Sequence, residues 1–196
     1  MNKFSFPVLL PPGIEATVTQ PFGVTANTIE PPGQHGEAHF HYGDDVVFGT
    51  DIETYGTPIV CPFHDARLTA YAEPSGSYTV TPFIRLDGYG ASGNHYEATF
   101  AHVSSIFFRP SYNEGDIIGT VGNYGLVLPK PTPGAPFAGS HLHLGLQLNG
   151  QWVDPLQYFD ITKPYIGAPH DPASDIPRLV WAIQQIESQL SKMGVQ

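Results

Sequence analysis

Between His35 and Tyr165 the apolar positions come in short runs, and none keeps a helical period for a useful length. Ile59 to Cys61, Arg67 to Tyr71, Tyr78 to Leu86, Tyr96 to His102, Ile117 to Val121 and His141 to Leu148 read as strands. Turn signals punctuate them: Pro74-Ser75-Gly76, Asp87-Gly88, Ser92-Gly93-Asn94, Asn113-Glu114-Gly115 and Asn149-Gly150. A shorter strand-like run, Ala16 to Phe22, sits in the Pro- and Gly-rich first segment. The pattern predicts an all-β, mainly antiparallel domain over residues 1–166. Asn123 to Ser140 carries Pro129, Pro131, Pro133 and Pro136 and is expected as an extended, stiff loop walling the segment it enters at His141.

Residues 167–196 differ. Ser174-Asp175-Ile176-Pro177 resembles a helix start, and Ile176, Leu179, Ile183, Ile186, Leu190 and Met193 recur at alternating spacings of three and four. The expectation is a linker and an amphipathic helix to about Lys192. Its stripe either docks on the same chain or joins copies into a homo-oligomer.

Composition agrees with a β-rich domain of ordered loops: 41% hydrophobic residues, only 13% charged, with 21 Gly and 20 Pro. The net charge of −10, with eight Lys plus Arg, leaves no basic face for nucleic acid. Cys61 is the single cysteine, which rules out an intrachain disulfide, and its apolar surroundings read as a buried small hydrophobe. No apolar run is long enough to span a bilayer, and Met1 to Pro12 is too interrupted for a signal core.

Candidate chemistry clusters at three places. His141 and His143 stand two apart on a predicted strand, so both imidazoles share a face while Leu142 and Leu144 point to the core. Alone, such a pair is equally an incidental surface or core feature. His41 and Asp45 would lie about 13 Å apart in an extended chain at ~3.3 Å per residue, too far to share an ion. The chain must bend, and Gly43 is where it can. Two imidazoles and a carboxylate, with one position left for water, make a catalytic zinc arrangement rather than a closed structural one. The third place is His102, which follows a strand in the apolar segment Phe100-Ala101-His102-Val103.

Taken together and in order, these segments resemble the lysostaphin/LytM family of zinc endopeptidases over about Ala16 to Phe159. Gln20-Pro21-Phe22-Gly23 is similar to the family's entry strand, and His41 to Asp45 to its His-x-Gly-x-Asp. Tyr55 to Val60 is similar to its Gly-Thr-Pro strand, and Phe100 to Val103 to its Tyr-x-His-Leu. Glu114 to Asn123 resembles its Gly-rich segment in shortened form, Ser140 to Leu144 its Pro-His-Leu-His-Phe, and Val153-Asp154-Pro155 its closing motif. The chain departs from the family at Asp44, where an apolar residue is usual, and in the length of the 123–140 loop. His39-Phe40-His41 offers a second register, but only His41 has Gly43 and Asp45 at the family offsets. His35, His39, His64, His95 and His170 are read as rim, surface or hydrogen-bonded residues.

The resemblance implies a zinc endopeptidase acting on peptides of bacterial peptidoglycan. Zn2+ is expected on His41, Asp45 and His143, His141 as general base, and His102 as the group that stabilises the oxyanion or orients water. The missing signal segment and the acidic charge extend the expectation to a phage-type lytic enzyme, released by lysis or carried in a virion. Two rival readings are an inactive family member that binds or regulates a partner, and a structural virion component. Metal content and hydrolysis separate them from the enzyme.

Overall fold

The computed structural model describes residues 3–75, 80–90 and 93–165. Its strands are β1 (Phe4–Phe6), β2 (Ala16–Gln20), β3 (Gly23–Val24), β4 (Phe40–His41), β5 (Asp44–Phe48), β6 (Pro58–Val60) and β7 (His64–Ala72). They continue as β8 (Phe83–Tyr89), β9 (His95–Ala101), β10 (Val103–Ile106), β11 (Ile117–Val121), β12 (Leu142–Leu148), β13 (Gln151–Val153) and β14 (Phe159–Pro164). The main sheet has seven strands in the order β2-β5-β12-β9-β8-β7, with β13 added to β12, and every pairing in it is antiparallel. A three-stranded sheet, β10-β11-β6, is also antiparallel, while the small β1-β14 pair is parallel. The all-β expectation is met. The tail helix and its oligomer role lie outside the described residues.

One apolar cluster joins the two larger sheets. Val46, Phe48, Ile84, Leu86, Phe100, Leu142 and Leu144 from the main sheet pack with Ile59, Val103, Ile118 and Val121 from the smaller one. Leu142 and Leu144 are fully buried, as the alternation on that strand required, and Cys61 is buried too. Burial pushes the Cys61 thiol up to about 12, so it stays a protonated, inert filler.

Local differences from the sequence reading have physical causes. Asp87-Gly88 is not a turn but lies inside β8, paired with β9. A side chain at 88 would meet the Phe63 Cβ at 2.6 Å, so the glycine makes room for a core ring instead of bending the chain. The reversal falls later, where the Gly90 amide donates to the Asn94 carbonyl. The helical turn α1 (Asp51–Thr54) begins with a reciprocal capping box between Thr50 and Glu53. Asn149 and Gly150 both adopt left-handed conformations, as a two-residue hairpin turn between β12 and β13 needs. Among the described residues no helix is long and apolar enough to cross a membrane.

Candidate metal centre

Register builds the centre. Along β5, Asp44, Val46 and Phe48 are buried while Asp45 turns to the opposite face. On β12, Leu142 and Leu144 are buried and His143 is left on that face. Asp45 and His143 are direct cross-strand partners, so the sheet itself holds the carboxylate beside the imidazole. His41 ends β4, and the chain breaks at Tyr42-Gly43 before β5 begins. This break brings His41 back over Asp45, as the bend argument required. Gly43 is there for space rather than for an unusual φ: a Cβ would meet the Leu144 carbonyl oxygen at 2.6 Å and His143 Nε2 at 2.7 Å.

Three donor atoms converge. His41 Nε2 lies 3.1 Å from Asp45 Oδ1, His143 Nδ1 lies 3.0 Å from the same oxygen, and the two nitrogens are 3.0 Å apart. Tetrahedral zinc with bonds of about 2.0–2.1 Å spaces its ligands about 3.3 Å apart, so these edges agree within a few tenths of an ångström. Three electron-rich atoms this close repel one another unless a proton or cation lies among them. The His41 Nδ1–H donates to the Pro21 carbonyl at 3.1 Å, which turns Nε2 towards the cluster. The residues present therefore fit a metal ion, and His41, Asp45 and His143 are the group of described residues able to hold one.

Electrostatics point the same way. Burial pushes the Asp45 carboxyl up, but hydrogen bonds from His143 and His41 and the nearby imidazoles outweigh it and hold it below the usual carboxylate range. Burial lowers His41, yet its bond to Asp45 and that charge carry it above the usual imidazole value. Both effects record an anion seeking positive charge among these atoms.

His141 and His102 stand beside the triad, with ring centroids 4.4 Å apart. The Nδ1 of His141 is 2.9 Å from the Gly139 carbonyl, and that of His102 is 2.7 Å from the Tyr124 carbonyl. A carbonyl only accepts, so each Nδ1 carries a proton, and the neutral form of either ring has its lone pair at Nε2. His141 Nε2 is 3.7 Å from Asp45 Oδ1, too far for a hydrogen bond. His102 has φ of 61°, a left-handed kink between β9 and β10, where the chain leaves the main sheet for the smaller one. Burial, then the neighbouring His141, lowers its pKa to about 3, so it is neutral throughout the ordinary pH range.

A groove of about 600 Å³ runs past all five side chains. Gln20, Asn27 and Glu30 line it, tied in a chain by Asn27 donating to Gln20 and Gln20 donating to Glu30. Leu126, Leu128, Pro129 and Gly139 of the long loop line it as well, matching the expectation that this loop walls the site. The other described histidines are elsewhere: His39 bonds the Glu30 carbonyl, His64 pairs with Glu114, His95 with Asp87, and His35 is exposed. His170 lies outside the described residues. The sequence could not disclose the acceptors Pro21, Tyr124 and Gly139, because they act through backbone oxygens that any residue supplies.

No protein-family model and no curated protein matches the sequence. Solved structures do match. A zinc-containing peptidase from Vibrio cholerae aligns over 79% of this chain at 18% identity with a TM-score of 0.51. The chain shares the fold of the aligned part of that peptidase. It spans 40% of the length of that peptidase. A chain of the SpoIIQ–SpoIIIAH pore-forming complex aligns over 83% of this chain and 94% of its own, at 13% identity and a TM-score of 0.51. Lysostaphin itself aligns over 79% of this chain and 58% of its own, at 16% identity and a TM-score of 0.47. The fold of this chain thus occurs both in a peptidase and in a pore-forming complex, so an activity has to be argued from the site.

Proposed function

We propose that this protein is a zinc-dependent endopeptidase that hydrolyses peptide bonds of bacterial peptidoglycan. The observation that carries the reading is the convergence of donor atoms of His41, Asp45 and His143 within 3.1 Å of one another, in a groove that two further imidazoles also line. The substrate class comes from the resemblance of the ordered motif set to cell-wall endopeptidases.

His41, Asp45 and His143 hold the ion. Zinc bound there supplies Lewis acidity towards a water and towards the scissile carbonyl. His141, with Nδ1–H engaged by Gly139, takes a proton at Nε2 from the attacking water and returns it to the leaving amine. His102 is neutral and its Nδ1–H is engaged by Tyr124, so its Nε2 acts as an acceptor. Of its two expected roles, orienting the water fits this protonation state; donating to an oxyanion does not. The groove walls fix the peptide so that the scissile bond meets these groups.

A binding module on the same fold is the competing reading, favoured by the pore-complex neighbour. Against it, all five side chains of the motif set are present and face one groove. The test is digestion of purified peptidoglycans of several crosslink types, with mass analysis of the products. The enzyme reading expects a defined new amine and carboxyl pair at one peptide bond, abolished in His141→Ala. No cleavage of any wall type by zinc-loaded protein would leave the binding module.

A further inference from the structure

The two imidazoles that do not hold the ion take their orientation from opposite ends of one loop. Tyr124 supplies the acceptor for His102, and Gly139 the acceptor for His141. The loop closes at its base through the bridge between Gly122 and His141. Across that base lies Asn123, 3% exposed, whose Nδ2 donates to the Pro136 carbonyl at 2.9 Å and the Ala138 carbonyl at 3.1 Å.

We infer that the Tyr124–Gly139 loop is the element that sets the ring orientation of both His102 and His141, and that Asn123 is the positioning residue that locks its returning arm. This rests on the reading of His141 and His102 as the proton-transfer and water-orienting groups. Pro131, Pro133 and Pro136 lack the amide hydrogens with which an arm ordinarily bonds to a sheet. A side-chain donor must therefore supply the tie, and a buried carboxamide with two N–H groups supplies two. Ala138 directly precedes Gly139 and Pro136 lies three residues before it, so fixing their carbonyls restrains the oxygen that His141 Nδ1–H meets. Ser140 adds a third tie, its Oγ donating to the Phe137 carbonyl at 2.6 Å. At the outgoing end there is little slack. A Cβ at Gly122 would meet the His102 carbonyl oxygen at 2.8 Å, so Tyr124 leaves from a segment already packed on His102.

The wall that shapes the groove and the element that aims the proton-transfer groups are then the same piece of chain. Changes in loop length alter catalysis as well as selection. Asn123 touches no reacting atom and acts only through Gly139.

The experiment is nitrogen-15 NMR of the imidazoles in the full chain without metal, comparing wild type with Asn123→Ala. In wild type, His141 and His102 give the signature of a ring protonated at Nδ1 and hydrogen-bonded. In the variant, the His141 signature averages between tautomers and its Nδ1–H exchanges with solvent at least tenfold faster. His41, held by Pro21, stays unchanged and is the internal control. A folded Asn123→Ala protein that keeps the wild-type His141 signature overturns the inference. If that variant does not fold, Ser140→Ala, which removes one tie from the same arm, must show the same shift to a smaller degree. An unchanged His141 there overturns it equally. Because the readout needs neither zinc nor turnover, failure of the clamp is distinguishable from failure of the peptidase reading.

Discussion

Gly43→Ala is the most revealing single change, because one methyl group probes both the sheet and the metal centre. The added Cβ would lie 2.6 Å from the Leu144 carbonyl oxygen, 2.7 Å from His143 Nε2 and 2.8 Å from His143 Cε1. Ordinary contact begins near 3.4 Å, so the neighbours must separate by roughly 0.6–0.8 Å. Leu144 is in β12, paired on one side with β5 and on the other with β9, and its carbonyl has no room to retreat. The imidazole of His143 must turn, or the β4–β5 segment must lift from β12. Metal sites tolerate about 0.2 Å of ligand displacement, so either response spoils the triad. We expect zinc affinity to fall about 10–100-fold, as when the support of a ligand is lost, and the metal-free protein to lose about 1–3 kcal/mol through overpacking. Competition with a chromophoric chelator reads the first and thermal unfolding without metal reads the second. Gly134→Ala, where an added Cβ meets nothing within 4 Å, is the control. Wild-type affinity in a Gly43→Ala protein would refute the packing argument.

Two further predictions concern pH. His102 has a folded pKa lowered to about 3, against about 6.5 in the unfolded chain. Its contribution is fully present above pH 6.5 and is lost as pH falls from there towards 3, because the unfolded chain takes up a proton that the fold refuses. The loss is on the order of 4 kcal/mol over the window. His102→Gln should flatten the fall of the metal-free Tm between pH 6.5 and 4; an unaltered slope would count against the buried neutral ring. Asp44 is 1% exposed and its Oδ2 has no hydrogen-bond partner among the described residues; burial pushes its pKa up, the Phe22 amide opposes this, and Asp154 adds to the rise. A raised carboxyl favours the fold below its unfolded pKa and loses that advantage as pH rises through the folded value. Asp44→Asn, which keeps an acceptor for Phe22, should therefore stabilise at pH 8 by about 1 kcal/mol and change little below pH 4. A destabilised variant at pH 8 would show that the charge is needed.

What the sequence disclosed about this molecule followed from periodicity and motif order. The alternation around His141 to Leu144 placed two imidazoles on one face and two leucines in the core, and the distance argument demanded a break between His41 and Asp45. Both are features of local chain geometry. The cross-strand pairing of Asp45 with His143 was not legible, because register between segments about a hundred residues apart has no local signature. Nor was the left-handed kink at His102, a conformation that only the change of sheet at that point imposes. Gly88 misled for a related reason: an Asp-Gly pair signals a turn, whereas here Phe63 needs the space. The carbonyl acceptors of the histidines leave no trace in side-chain chemistry at all.

The proposed activity depends on one zinc ion held by His41, Asp45 and His143. Asp45 Oδ1 lies within 3.1 Å of both ligand nitrogens, so its loss removes the atom that both of the others share. The direct measurement is the zinc content per chain of wild type and Asp45→Ala after dialysis against a weak chelator, by elemental analysis. Close to one zinc per wild-type chain and close to none in the variant is the expected result. Full occupancy in Asp45→Ala, or none in folded wild type, would contradict it.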